Sequence, residues 1–232
     1  MMDYFATRAR VKTYFDTTAS DVWKRLTSDE PVSGIRATVR KGREQMRSHI
    51  LARLPADLRG QRVLDAGCGT GTLSAILAER GAQVIGIDIA PQLLEVARQR
   101  HQGHQSNISW VCGDMTDPDL GVFDHVVAMD SLIYYKANDI AHRLRCLGSR
   151  TSGVVLFTAP PRTLLLSLMW YAGKMFPKND RSPVMVPQSF SGLQKAMLAR
   201  GHGGLDKKLA CLASVHHGFY HARLYSQEGS LI

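Results

Sequence analysis

Between residues 62 and 159 the apolar positions fall into short runs, each closed by a glycine or an acid. "RVLDA" (62–66), "AQVIGID" (82–88), "NISWVCGD" (107–114), "FDHVVAMD" (123–130) and "GVVLFTA" (153–159) are rich in Val, Ile and Leu with little alternation, the pattern of strands buried on both faces. Stretches of helical spacing lie between them. "TLSAILAER" (72–80) stops at Gly81, "PQLLEVARQR" (91–100) opens on Pro91, which suits a first helical turn, and "DIAHRLRCL" (139–147) follows the fourth strand. Strands alternating with helices at this rhythm predict a doubly wound, mostly parallel sheet. "KKLACLASV" (207–215) and "GFYHARLYS" (218–226) read as a closing antiparallel pair with Gly218 near the turn, after a helix at 189–200. Together these runs predict seven strands.

The flanks break the rhythm. Residues 1–55 hold helical pattern without a strand run, including one long helix over 33–54, and are expected to form an N-terminal helical arm. Residues 56–232 form the main domain, interrupted at about 162–188 by an insertion after the fifth strand.

Composition narrows the class. The chain has 232 residues, 44% hydrophobic and 21% charged, which is ordinary for a globular protein. No run approaches the roughly 20 apolar residues of a membrane span, and "MMDYFATRARVK" has no signal-peptide core, so a cytoplasmic location is expected. Cys68, Cys112, Cys146 and Cys211 are too dispersed for a CxxC site and read as buried small hydrophobes. No histidine or cysteine spacing suits a protein-bound metal. The net charge of +9 favours anionic partners, whether nucleic acid, an anionic membrane face or a small acidic substrate, but no aromatic-interleaved RNA-binding signature accompanies it.

The chemistry starts at "VLDAGCGTG" (63–71). Gly67, Gly69 and Gly71 follow a strand and precede a helix, so a ligand can approach the backbone of Asp65–Gly71, including Ala66 and Cys68. The spacing is G-x-G-x-G and not the G-x-G-x-x-G of dinucleotide sites, and Asp65 would repel a pyrophosphate but pair with an ammonium. Asp88, followed by Ile89, ends the second strand where a carboxylate can accept from both ribose hydroxyls. In "GDM", Gly113 and Asp114 close the third strand; Asp114 can accept from an adenine amino group and Met115 offers a backbone N–H. Each acid alone is a common strand-end or cap residue. Ammonium, ribose and adenine partners at successive strand ends describe S-adenosylmethionine, and Met129 and Asp130 at the end of the fourth strand would frame its methionine end. The pattern resembles the Rossmann-like class I methyltransferases. Their base-amino-methylating members carry [DN]PP[YF] where this chain reads "DSLIY", which counts against nucleic acid as substrate.

The flanks carry a narrower resemblance. "YFDTTASDVWKRLTS" (14–28), "IRATVRKGREQM" (35–46), "DSLIYY" (130–135), "FTAPPRTLLLSLMWYAGKMFP" (157–177) and "GFYHARLYS" (218–226) are similar to segments of the magnesium-protoporphyrin IX O-methyltransferases of bacteriochlorophyll-making bacteria. The resemblance implies methyl transfer to a propionate of Mg-protoporphyrin IX, with the magnesium arriving in the substrate, and a handover from the porphyrin-binding subunit of magnesium chelatase. A flat, apolar dianion needs an apolar groove rimmed by cations. Leu166 and Trp170 in the insertion, Arg162 at its edge, and Arg36 and Arg40 with Lys41 and Arg43 beside them are the candidate substrate contacts. The apolar, cation-flanked insertion also suits peripheral contact with the photosynthetic membrane.

Tyr14, Phe15 and Trp23 are placed to close over the ligands. Tyr134 and Tyr135 stand where the fourth strand opens onto the transferred methyl; Tyr134 replaces a histidine of chlorophyll-branch relatives, so a donor is expected there and not a base. A quinone- or phenol-type O-methyltransferase, and a non-catalytic tetrapyrrole-binding module, are the competing readings.

Overall fold

The computed structural model describes residues 2–18, 34–104, 106–162, 183–199 and 209–228. Its centre is one seven-stranded sheet in the order β3-β2-β1-β4-β5-β7-β6. The strands are β1 (Arg62–Ala66), β2 (Gln83–Asp88), β3 (Ile108–Cys112), β4 (His125–Ala128), β5 (Val154–Ala159), β6 (Ala210–His217) and β7 (Tyr220–Glu228). The first five pair in parallel, and β7 runs antiparallel between β5 and β6. Their central members are apolar on both faces because helices cover both sides: Val63, Leu64, Val126, Val127, Val155 and Leu156 are all fully buried.

The helices are α1 (Met2–Thr13), continued by a π-helical turn at Tyr14–Thr18, then α2 (Gly34–Leu51), α3 (Thr72–Glu79), α4 (Pro91–Arg100), α5 (Ala137–Gly148) and α6 (Phe190–Leu198). Pro91 occupies the first turn of α4, where its missing N–H has no partner to lose.

Two apolar cores flank the sheet, and each takes side chains from the expected arm. Met46 and Ile50 of α2 are fully buried with Leu77 and Leu156, whereas Tyr4 and Val11 of α1 join Leu64, Val126 and Phe157 on the other side. Gly42 explains how closely α2 approaches the terminal hairpin. A Cβ there would stand 2.6 Å from the Tyr220 ring, so only glycine admits that ring.

Two details depart from the sequence reading. Strands β3 and β4 stop two residues before the acids expected to close them, leaving Asp114 and Asp130 in the loops beyond. Cys112 and Cys211 are exposed, although hydrophobicity placed all four cysteines inside. Leu166, Trp170 and Trp23 lie outside the described residues.

Candidate active site

The strand order reverses direction between β1 and β4, so the helices that follow these strands leave toward opposite faces and open a crevice at the strands' carboxyl ends. A cleft of about 1080 Å³, counting space open to solvent, occupies that point. One side is the loop after β1 with Asp65, Gly67, Cys68 and Gly69; Asp88 and Ile89 follow β2, Gly113 and Met115 follow β3, and Met129, Asp130, Tyr134 and Tyr135 follow β4. These residues are distant in sequence and meet because each ends a neighbouring parallel strand.

The glycines divide by purpose. A Cβ on Gly69, where φ is +57°, would meet nothing within 4 Å, so this residue opens the cradle to a ligand. At Gly71, with φ +81°, a Cβ would strike the Trp110 indole, and Gly67 sits against Ser131 in the same way. Gly71 caps α3 and admits Trp110, and it does not reach the cleft wall. Ala66, expected in the ligand loop, is fully buried and packs into the apolar core.

Asp88 holds the loop in shape: one carboxylate oxygen accepts from the Gly69 N–H at 2.9 Å and the other from the Ala90 N–H at 2.9 Å. Burial raises its pKa, and these N–H groups oppose the rise. Asp65 accepts from the Ser74 hydroxyl at 2.6 Å, yet burial pushes its pKa up to about 6, with the charge of Asp88 adding to the rise. A buried acid of that kind is matched to a cation. The Cys68 thiol is driven well up by burial and by Asp65 and Asp88, so it stays protonated and serves as wall.

Asp114 is engaged differently from expectation. One oxygen accepts from the Tyr4 hydroxyl at 2.9 Å and lies 3.4 Å from Arg8; the other accepts from the Thr116 N–H and hydroxyl. Burial would raise its pKa, but the Thr116 and Tyr4 hydrogen bonds outweigh this and hold it low. The carboxylate fastens α1 over the cleft, and Asp114 itself stands behind the wall that Gly113 and Met115 form. Tyr4, which no motif marks, is buried there with the Arg143 guanidinium 4.0 Å above its ring.

The two adjacent tyrosines face different neighbours. Tyr135 stacks on Tyr4 at 5.1 Å between centroids, and its electrostatic neighbours are Asp114, Arg8, Arg143 and Asp88. Both tyrosines, expected together at the transfer point, line the cleft, each among its own neighbours. Tyr134 faces Tyr14, Asp130 and Arg43, with Phe15 edge-on at 6.2 Å. Burial drives its phenol pKa far up, and Tyr14 and Asp130 add to the rise, so Tyr134 is a proton donor and never a base near neutrality. Tyr14, expected to touch the ligand, packs edge-on to Phe15, which forms the wall in its place.

Asp130 gathers three parts of the chain. It adopts φ +56°, a left-handed conformation rare outside glycine and tolerated by Asp. Its N–H donates to the Thr158 hydroxyl at 2.7 Å, the Tyr220 hydroxyl donates to its carboxylate at 2.9 Å, and Arg43 pairs with it at 3.1 Å. β5, the terminal hairpin and α2 thus converge beside Tyr134. The Ser131 hydroxyl is buried with no hydrogen-bond partner among the described residues, a polar atom that a ligand in the cleft can satisfy.

Of the expected substrate contacts, Arg36 and Arg162 are exposed, and neither they nor Arg40 lines the cleft. Arg43 and Arg47 do, further along the same helix. The far end of the insertion is fixed at the tyrosine turn, where Gln188 donates to the Tyr135 carbonyl at 2.9 Å and the Val186 N–H to the Ile133 carbonyl, and the near end joins it through the Arg162 N–H to the Gln188 carbonyl.

An acid matched to an ammonium, a pinned carboxylate on the second strand and an open glycine suit an adenosylated amino acid such as S-adenosylmethionine. The comparisons agree. A family model described as magnesium-protoporphyrin IX methyltransferase C-terminus matches residues 128–228, and a methyltransferase-domain model matches residues 63–149. A magnesium-protoporphyrin O-methyltransferase of Rhodobacter capsulatus is 49% identical, over 94% of this chain and 95% of its own length. One of Synechocystis is 28% identical over 92% of this chain and 93% of its own. The crystal structure of magnesium protoporphyrin IX methyltransferase from Synechocystis PCC 6803 with bound S-adenosylhomocysteine is similar at a TM-score of 0.80 and 27% identity, covering 96% of this chain and 99% of that one.

Proposed function

The chain belongs to the magnesium-protoporphyrin O-methyltransferases, and we propose from that premise how its cleft works. The enzyme transfers a methyl group from S-adenosylmethionine to a propionate carboxylate of Mg-protoporphyrin IX in the (bacterio)chlorophyll pathway. The observation that carries the residue-level reading is that one cleft is lined by Gly69 and Asp88 together with Tyr134, Asp130 and Arg43.

S-adenosylmethionine, when bound, supplies a methyl group activated on a sulfonium sulfur. Asp88 would hold its ribose, Asp65 its ammonium, and Tyr4 with Tyr135 would wall the adenosine end. A propionate is already ionised at neutral pH, since an unperturbed carboxyl of this kind titrates at about 4 to 5. The site needs no general base, and the buried phenols are too weakly acidic to provide one. What the chain supplies is placement: Tyr134 donates to the carboxylate and fixes the reacting oxygen, while Phe15 and the tyrosine turn exclude water. Such positioning is worth about 7 to 11 kcal/mol of barrier.

The apolar sequence of the insertion, with Leu166 and Trp170, and the bonds of Val186 and Gln188 to residues 133 and 135 support a part for this segment in binding the porphyrin. For location we propose the cytoplasm with peripheral contact to the photosynthetic membrane. The net charge of +9 and the exposed Phe5 and Phe219 support it. A poorly soluble substrate also favours direct receipt from the porphyrin-binding subunit of the chelatase.

An acceptor series tests the function. Mg-protoporphyrin IX should accept one methyl group, its dimethyl ester none, and phenolic or quinol acceptors none. Efficient methylation of a phenol with no turnover of the porphyrin would overturn the reading.

A further inference from the structure

Asp130 is the one non-glycine residue with a positive φ among the described residues, at +56°. Backbone of that kind is strained and persists where its surroundings over-determine it. Here they do. Thr158, fully buried on β5, accepts from the Asp130 N–H at 2.7 Å and donates back to Oδ1 at 3.1 Å. The Tyr220 hydroxyl donates to the same oxygen at 2.9 Å, and Arg43 pairs with Oδ2 at 3.1 Å. Arg43 lines the cleft, whereas Thr158 and Tyr220 stand behind it.

Tyr220 opens β7, its ring packs with Val215 and Leu224, and it passes α2 at Gly42, where any side chain would collide with it. A phenol so deeply buried needs an acceptor, and the one it meets is the residue from which the tyrosine turn departs. Three residues separate Asp130 from Tyr134. Among them, Leu132 is fully buried and its carbonyl accepts from the Tyr135 N–H at 3.2 Å, while the Ile133 carbonyl accepts from Val186. A turn packed and bonded at these points has little slack, so a displacement of Asp130 passes on to the Tyr134 phenol. Asp130 and Arg43 are also the charged neighbours of that phenol. We propose that Tyr220 is a positioning residue for methyl transfer: without lining the cleft, its hydroxyl locks Asp130 and thereby holds Tyr134 in place against the acceptor.

This rests on the role proposed for Tyr134, and a double-mutant cycle separates the two. Tyr220→Phe keeps the ring against Gly42 and removes only the hydroxyl. It is compared with Tyr134→Phe and with the double variant, by single-turnover methylation of Mg-protoporphyrin IX at saturating S-adenosylmethionine and by calorimetric titration of S-adenosylhomocysteine. Tyr220→Phe should slow transfer by about 10-fold, less than the 100-fold that a misplacement of 1 Å can cost, because Thr158 and Arg43 still hold Asp130. Its S-adenosylhomocysteine affinity should match wild type. The double variant should be no slower than Tyr134→Phe alone, since two residues acting as one unit do not lose their effects twice. Thr158→Val removes the other lock on the same oxygen; it should show the same pattern and serves in place of Tyr220→Phe if melting temperatures show that variant to be poorly folded. Multiplying losses in the double variant, a wild-type rate in Tyr220→Phe, or weakened S-adenosylhomocysteine binding with an unchanged rate at saturation would each overturn the proposal and leave the role of Tyr134 standing. A slow Tyr220→Phe beside a fully active Tyr134→Phe would overturn both.

Discussion

Tyr134 is the residue on which the proposed mechanism turns. Its phenol stays protonated, so the contribution we propose for it is one hydrogen bond donated to the substrate carboxylate. A hydrogen bond to a charged group is worth about 1.5 to 3 kcal/mol, so Tyr134→Phe should lower kcat/KM by roughly 10- to 100-fold. Steady-state kinetics indistinguishable from wild type would show that the hydroxyl does nothing. Asp65 gives a pH prediction. Its folded-state pKa of about 6 lies above the ordinary 3.8, so the folded protein holds the extra proton between those values. The ligand-free enzyme should lose about 3 kcal/mol through this group as pH rises from about 4 to about 6, two pKa units at 1.36 kcal/mol each. Ligand affinity should move the opposite way and weaken as pH falls below about 6, because the ammonium needs an ionised partner. Asp65→Asn should flatten both trends, making the empty protein more stable at pH 7.5 and weakening S-adenosylhomocysteine binding. Denaturation and calorimetry at the two pH values decide it; an unaltered pH dependence in the variant would refute the assignment. Asp65, Asp88 and Tyr134 were legible because each follows an apolar run. Tyr4 and Arg47 were not, since a tyrosine or arginine on a polar helix carries no mark of what it will face.

At the level of elements, the meeting of α2 with the terminal hairpin has a local signature that misleads. Gly42 sits inside a helix, where replacement by alanine normally gains about 1 kcal/mol of helix propensity. Here the added Cβ would enter the Tyr220 ring, and overpacking of that kind costs about 1 to 3 kcal/mol. Gly42→Ala should therefore destabilise by up to about 2 kcal/mol and, by shifting Tyr220 from Asp130, slow methyl transfer as well. A stability gain with full activity would contradict the packing described. The sequence placed these elements closely: the expected helix over 33–54 spans Gly34–Leu51, and the expected closing pair is β6–β7. It overran β3 and β4 because hydrophobicity continues through Met129 while the backbone has already turned, at Asp130, into the left-handed region.

At the scale of the whole molecule, the doubly wound sheet follows from alternating buried runs and amphipathic helices, and strand ends at a reversal of strand order make a crevice whatever the chemistry. The contacts that close this crevice span the chain. Tyr4 reaches Asp114 across 110 positions and Tyr220 reaches Asp130 across 90. Pairings at that separation leave no periodicity, which is why the arm was legible as helix but its fastening was not. The same view frames the membrane question. With a net charge of +9, the enzyme should sediment with vesicles rich in anionic lipid at low salt and be released by salt near 0.5 M, where screening shortens the reach of surface charge to a few ångströms. Equal recovery with neutral and anionic vesicles would dismiss the contact. The most direct test of the central claim is transfer itself. Purified enzyme is incubated with Mg-protoporphyrin IX and methyl-labelled S-adenosylmethionine, and the porphyrin is analysed before and after mild alkaline hydrolysis. The account predicts one labelled methyl per porphyrin, released as methanol by alkali. Label that resists alkali, or bound porphyrin that never acquires label, would contradict it.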